Sequence, residues 1–247
     1  MNVKEVTAKS ILSKSKVLDY AINPYIGCEH GCTYCYARYM KRFTGHKEDW
    51  GKFVDIKINA PKLLQHEIRK KRVGRVWISG TCDPYQPMER HTQLTRRCLE
   101  ILSKHGWPVT IQTKSTLIMR DLDLLGNFED IEVGLSISTG NESIKALFEP
   151  KCPAIEDRIK AVESLHSAGL KTFVMIAPIL PEAEILINRV KDKVDNIIID
   201  KMNYHYADWV YKKHGLQYAL TPAFFDKKKE ELTATLGQAG ISYQFLF

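Results

Sequence analysis

The chain has no long apolar run: no stretch approaches about 18 consecutive apolar residues, which removes a membrane-spanning helix from the expectation. Its first residues, Met1 to Lys16, are polar and basic and lack the apolar segment of a secretory leader, so a cytoplasmic protein is expected. Cysteine is scarce, with 6 in 247 residues. Cys82, Cys98 and Cys152 are scattered and would pair unevenly, which argues against a disulfide framework. A second Cys-x2-Cys pair is missing too, and structural zinc usually draws two such pairs from separated segments. No internal repeat or low-complexity segment is present.

What remains is the composition of an ordinary globular protein, 44% hydrophobic and 26% charged. That suffices for one large core, and a single domain over residues 1–247 is expected, with a core at about 20–203 and a C-terminal helix and strand extension at about 204–247. The formal net charge of +7 is compatible with a polyanionic partner, since clustered cations favour the approach of phosphates. It does not establish one. The runs Arg69-Lys70-Lys71-Arg72 and Lys227-Lys228-Lys229 fall at helix ends or on helix surfaces, where a solvated cationic face is the ordinary reading.

Along the chain, short apolar segments alternate with amphipathic ones. Strands are expected at Val54–Asn59, Arg75–Ser79, Val109–Thr113, Ile131–Thr139, Lys171–Ile179 and Asn196–Asp200. Helices are expected at about Tyr34–Phe43, Pro61–Lys71, Thr92–His105, Leu122–Leu125, Pro153–Gly169, Glu182–Val190 and Phe224–Leu236. Such alternation predicts an α/β fold of right-handed βαβ units, with parallel strands in a partial (β/α) barrel of the TIM type. Functional side chains then gather at the carboxyl ends of the strands. Thr81, Cys82 and Asp83, then Lys114 and Ser115, then Ser136, Ser138 and Thr139 all fall at such ends.

The most distinctive stretch is Cys28-Glu-His-Gly-Cys32-Thr-Tyr34-Cys35-Tyr36-Ala-Arg38, reached through Asn23-Pro-Tyr-Ile-Gly27. Three cysteines at this spacing let one loop deliver three thiolates to three corners of an iron–sulfur cube, leaving one iron open. A structural zinc site of these cysteines with His30 is the plainer alternative. The spacing, with Tyr34 before the last cysteine, resembles the radical SAM superfamily. That resemblance implies a [4Fe-4S] cluster on Cys28, Cys32 and Cys35, with S-adenosyl-L-methionine chelated at the open iron.

A narrower resemblance rests on Gly80-Thr-Cys-Asp83-Pro-Tyr85-Gln-Pro-Met-Glu89, Thr113-Lys-Ser115, Arg120-Asp121, Ser136-Ile-Ser138, Phe148-Glu-Pro150, Arg158 and Ala177-Pro-Ile-Leu-Pro181. These segments recur in this order in proteins similar to spore photoproduct lyase, over about residues 20 to 181. The resemblance implies that Asp83 and the backbone near Thr81 and Cys82 meet the methionine amino group, Lys114 the carboxylate and Ser136 the ribose. Tyr36 and Ala177 would line the cofactor pocket. A reductant such as a flavodoxin or ferredoxin would supply one electron, and a 5'-deoxyadenosyl radical would take hydrogen from a substrate.

Three functions stay open at this level: a nucleic-acid-directed radical enzyme, a radical enzyme acting on a peptide or small molecule, and an iron–sulfur sensor without turnover. Where the lyase carries a hydrogen-returning cysteine, two residues before the position of Cys82, this chain has Gly80. Cys82, the nearest thiol, is therefore expected to pack beside the cofactor, and thymine-dimer repair is not expected. Glu149 and Arg158, on either side of Pro150 and Pro153, suggest a structural ion pair or a reach toward the cofactor, with structure the favoured role for Glu149. Lys57 is either a second cation near the site or, by default for its type, a solvated or salt-bridged lysine, and Tyr204, His205, Tyr206 and Trp209 form an aromatic cluster that could stack a substrate but more often serves packing.

Overall fold

Val109-Thr-Ile-Gln-Thr113 alternates buried with half-buried side chains, the pattern of a strand covered mainly on one face. Similar short runs build most of the strands in the computed structural model, which describes residues 1–247. The strands are β1 (Asn2–Val6), β2 (Leu12–Lys14), β3 (Tyr20–Ile22), β4 (Tyr25–Ile26), β5 (Phe53–Lys57), β6 (Val76–Ile78), β7 (Val109–Thr113), β8 (Ile131–Ser136), β9 (Lys171–Ile176), β10 (Asn196–Ile199) and β11 (Ser242–Phe245). They are distributed over two compact units, Met1–Gly31 with Ala37–Val133, and Cys32–Tyr36 with Gly134–Phe247. β8 begins in the first and ends in the second.

In the first unit the main strands run in the order β2-β3-β6-β7-β8. β3 pairs parallel with β6 and β6 with β7, whereas β2 returns antiparallel on β3. A separate three-stranded sheet, β1-β5-β4, takes the segment that sequence placed in the main alternation: β5 lies parallel to β1 and antiparallel to β4. Helix Ala60–Glu67 packs against helix Leu94–Lys104, and Leu64, Leu94, Leu99 and Leu102 of the two helices are all essentially inaccessible to solvent. Each such leucine stabilises the fold by roughly 1.5–3 kcal/mol relative to an exposed one.

In the second unit the order is β8-β9-β10-β11, with β9, β10 and β11 parallel. Helix Ile155–Ser167 lies on β9 and buries Ile155, Ile159, Val162 and Leu165, the stripe expected from their spacing. The result is an α/β fold with mostly parallel strands and a partial barrel, as the sequence predicts. No helix is long and apolar enough to cross a membrane.

Several boundaries differ from the sequence reading for identifiable reasons. β8 stops at Ser136 rather than Thr139, where side chains take over the bonding: Ser138 Oγ donates to the Ala177 carbonyl at 3.2 Å and Thr139 Oγ1 to that of Pro181 at 2.6 Å. β9 stops at Ile176 because Pro178, two residues on, has no N–H to donate. The helix expected at Tyr34–Phe43 is a 3-10 turn at Tyr36–Met40 and one α-turn at Lys41–Thr44, closed by Gly45 in the left-handed region. Thr92–His105 starts later, at Leu94, because Gln93 at φ 50° separates it from a short turn at Glu89–Thr92.

Candidate functional site

In the first unit the approach to Cys28 is shaped by close backbone packing. Gly27 has φ +87°, and a Cβ there would lie 2.4 Å from the Phe53 carbonyl oxygen, so only glycine fits. Cys28 itself is buried. Gln86 clamps this turn from the opposite loop: its Nε2 donates to the Gly27 carbonyl at 3.3 Å, and its Oε1 accepts from the Glu29 N–H at 2.9 Å. Glu29 answers by accepting from the Met88 N–H through Oε1 at 2.5 Å.

Asp83 is the hub of the same loop. Its Oδ1 accepts from the Tyr85 N–H at 2.9 Å and the Thr113 hydroxyl at 2.5 Å, its Oδ2 from the Lys114 N–H at 2.8 Å, and His30 Nε2 lies 3.4 Å from Oδ2. Burial alone would raise this carboxyl's pKa. The His30 imidazole and the surrounding donors outweigh burial and hold it at about 2. One side chain thus ties the cysteine segment to the carboxyl end of β7.

Thr81 is fixed by Asn23, whose Oδ1 accepts from the Thr81 N–H at 2.8 Å and its hydroxyl at 2.9 Å. Lys57 Nζ donates to the Asn23 carbonyl at 2.8 Å, and burial lowers its pKa. Cys82 packs against the buried cluster Tyr25, Val54, Ile56 and Leu94, and desolvation pushes its thiol up to about 11. Lys114 is half-buried. Beneath this loop, Glu89 accepts from the Tyr25 hydroxyl and pairs with Arg120 at 2.9 Å, while Asp121 pairs with Arg120 at 2.7 Å and Arg96 at 2.9 Å. Glu89 and Asp121 are fully buried, so this network braces the loop from the core side.

The second unit holds Cys32, Tyr34, Cys35 and Tyr36. The Thr33 N–H donates to the Phe148 carbonyl at 2.8 Å, and the Tyr34 hydroxyl donates to Glu149 Oε1 and lies 3.3 Å from Ser138 Oγ. Glu149 Oε2 pairs with Arg158 at 2.6 Å with both side chains buried, the structural ion pair read from sequence. Arg158 also donates from Nη1 to the Ser136 carbonyl at 2.9 Å and from Nε to that of Pro153 at 3.0 Å. The side chain of Ser136 is buried at 2% exposure, and Ala177 is half-buried beside it in sequence order after β9. Tyr36 stacks on Tyr204 and Tyr204 on Tyr206, each at 6.0 Å between centroids. Tyr204 and Trp209 are exposed at 49% and 56%, so this is a surface column rather than a packed cluster.

No preformed group of three or more His, Cys, Asp or Glu side chains stands at metal-binding geometry. The case for Cys28, Cys32 and Cys35 therefore lies in their donor chemistry and their position on one short segment. Asn23 and Gln86 carry structural weight that the sequence did not single out. Their signal was present in the Asn-Pro-Tyr and Pro-Tyr-Gln-Pro turns, where a side-chain amide beside proline offers hydrogen bonds that the proline nitrogen cannot.

Comparison with known proteins bears on the same residues. A family model described as the radical SAM superfamily matches residues 22–186. An uncharacterized protein of Methanocaldococcus jannaschii is 36% identical over 184 residues, covering 74% of this chain and 69% of that one. One from Mycobacterium tuberculosis is 32% identical over 190 residues, covering 72% of this chain but 56% of that one. This chain thus matches little more than half of the mycobacterial relative. Among solved structures, spore photoproduct lyase complexed with dinucleoside spore photoproduct aligns with a TM-score of 0.74 and 15% identity, over 99% of this chain and 82% of that chain. Streptococcus suis SuiB bound to the precursor peptide SuiA aligns at 0.60 and 16%, over 92% of this chain and 48% of that chain. At these identities the likeness is one of fold.

Proposed function

The chain belongs to the radical SAM superfamily, and from that premise we propose that it is a radical SAM enzyme in which Cys28, Cys32 and Cys35 hold a [4Fe-4S] cluster and S-adenosylmethionine binds at the open iron. The donor set fits the group: three thiols on one segment, two of them buried and Cys35 half-buried, shield iron from water while leaving one position for a ligand. The chemistry supplied when both are bound is one-electron cleavage of the sulfonium, fed by a flavodoxin- or ferredoxin-type reductant, and hydrogen abstraction from a substrate.

The protein's own part is to bind and orient. Lys114 meets the methionine carboxylate with its ammonium, Ser136 offers a two-way hydrogen-bonder to the ribose, and Tyr36 and Ala177 line the pocket. Asp83, with the backbone at Thr81 and Cys82, receives the methionine amino group. A carboxylate has about four acceptor positions, and four donors already face Asp83. The three closer donors hold the Asp83 carboxylate in place, where it would receive the ammonium of a bound cofactor.

The observation that carries this reading is the cysteine segment, held in the first unit by Gln86 and Asp83 and in the second by Phe148 and Glu149. The test is anaerobic reconstitution with iron and sulfide, followed by reduction in the presence of S-adenosylmethionine. Brown absorbance and 5'-deoxyadenosine are expected, and alanine at Cys28, Cys32 or Cys35 should abolish both. A protein holding a single zinc and no iron would overturn the reading.

Thymine-dimer repair is not expected of this chain, because Gly80 offers no thiol and Cys82 is packed among apolar side chains with its proton tightly held. Reduced, loaded enzyme given spore photoproduct in DNA should release no thymine. Release that disappears in Cys82→Ala would contradict this.

A further inference from the structure

The second unit brings one of the cluster cysteines against a thiol for which the proposed chemistry has no use. Cys32 Sγ lies 3.6 Å from Cys152 Sγ, and both side chains are buried. Their approach is built by four neighbouring contacts. The Thr33 N–H and hydroxyl both reach the Phe148 carbonyl, the Tyr34 hydroxyl donates to Glu149, and the Cys152 N–H donates to the Glu149 carbonyl at 3.1 Å. Neither cysteine sits in a strand or helix, so each backbone can shift without breaking a ladder. A disulfide needs about 2.05 Å between sulfurs, a shortening of about 1.5 Å that two turn residues can supply.

We infer that Cys32 and Cys152 form a peroxide-reactive pair that closes to a disulfide when the cysteine segment carries no iron, withdrawing one iron ligand until the bond is reduced. The inference rests on the proposed function only for the role of Cys32 as a ligand. The chemistry balances in two steps. A Cys32 thiol and hydrogen peroxide give the sulfenic acid and one water; the Cys152 thiol then displaces hydroxide from that sulfur, forming the S–S bond and releasing a second water. Two thiols lose two electrons and two protons, and the peroxide takes them up. The second step is intramolecular, and its partner already stands in contact.

The other cysteines lack this arrangement. Cys98 is fully buried on helix Leu94–Lys104, and Cys82 packs against Tyr25, Val54, Ile56 and Leu94. Iron bound by Cys32 would occupy the attacking sulfur, so the loaded protein should resist the same treatment.

The experiment uses the full chain, prepared without iron, fully reduced and then given one equivalent of hydrogen peroxide. Peptide mapping without reductant should find a Cys32–Cys152 crosslink two hydrogens lighter than the free peptides. Subsequent iron uptake should be lost and should return after phosphine reduction. In Cys152→Ser the crosslink should be absent. As a control that leaves the pair intact, Cys98→Ser should crosslink as wild type does. Absence of the crosslink in the iron-free protein, dominance of another pairing such as Cys28–Cys35, or equal crosslinking of the loaded protein would each overturn the inference. The two readings also separate: a crosslink in a chain that never takes up iron sustains the pair and sinks the proposed function, whereas normal cluster loading without a crosslink does the reverse.

Discussion

Arg158 is the largest side chain with no solvent exposure, and its positive charge is matched by Glu149 and by the carbonyls of Ser136 and Pro153. Removing it strands a buried carboxylate together with acceptors that water cannot reach. Arg158→Leu should therefore lower stability by about 3 to 5 kcal/mol in denaturant titration. Lys114 poses the opposite case, a half-buried cation whose proposed role lies in binding rather than folding. Lys114→Ala should leave iron content unchanged and weaken S-adenosylmethionine binding more than tenfold by calorimetry, the loss of one charge-assisted contact of about 1.5–3 kcal/mol. Asp83 adds a pH dependence of definite sign. Its folded pKa of about 2 lies below the ordinary carboxylate value, so its contribution is complete above about pH 4 and disappears as pH falls through 2. Asp83→Asn should flatten the acid limb of the stability curve in that window, and an unchanged limb would remove Asp83 from the hub. At this scale the sequence was most informative where chemistry restricts the alternatives. A carboxylate and an arginine flanking two prolines pointed to a pair, whereas the anchoring by Asn23 and Gln86 was signalled only by amide side chains standing close to prolines.

At the scale of elements, legibility followed burial. β7 and the helix Ile155–Ser167 were readable because their periodicity mirrors a buried face. β1 was not, since only Val3 and Val6 are apolar in Asn2–Val6 and most of its side chains are exposed; it exists because β5 offers it a partner. The helix Glu142–Phe148 was missed for a different reason. Its start is set by Asn141, whose side-chain oxygen accepts from the Ser143 and Ile144 N–H groups, and one capping residue in a polar stretch is a weak signal without the structure. Packing between neighbouring strands is equally silent in sequence. A Cβ on Gly134 in β8 would come within 2.1 Å of the Phe173 ring on β9. Gly134→Ala should cost about 1–3 kcal/mol through overpacking, and Phe173→Leu in the same chain should recover part of the loss in thermal melts.

For the molecule as a whole, the formal charge of +7 does not say where cations are presented. The run Lys227-Lys228-Lys229 is not simply a solvated face. Lys228 is buried between Glu184 at 2.7 Å and Glu231 at 2.6 Å, and Lys229 donates to the Phe247 carbonyl at 3.1 Å. Lys71 is likewise engaged, donating to the Leu12 carbonyl. Composition is additive, whereas the field presented to a partner depends on which cations have been neutralised within the fold, and that is why charge alone left the nucleic-acid question open.

The parallel pairing of β1 with β5 has a practical bearing on how the protein is handled. β1 covers one edge of a strand whose Phe53, Val54 and Ile56 are buried, and Asn2 is held by the Glu48 carboxylate. A protease nick or a trimmed expression boundary just after Val6 would uncover that edge, leaving a row of unpaired backbone groups able to accept a strand from a neighbouring molecule. Material lacking residues 1–6 should elute as dimers or larger species in size-exclusion chromatography with light scattering, at concentrations where the intact chain does not change its mass. Shelf life and batch uniformity would then depend on six residues that carry no cysteine.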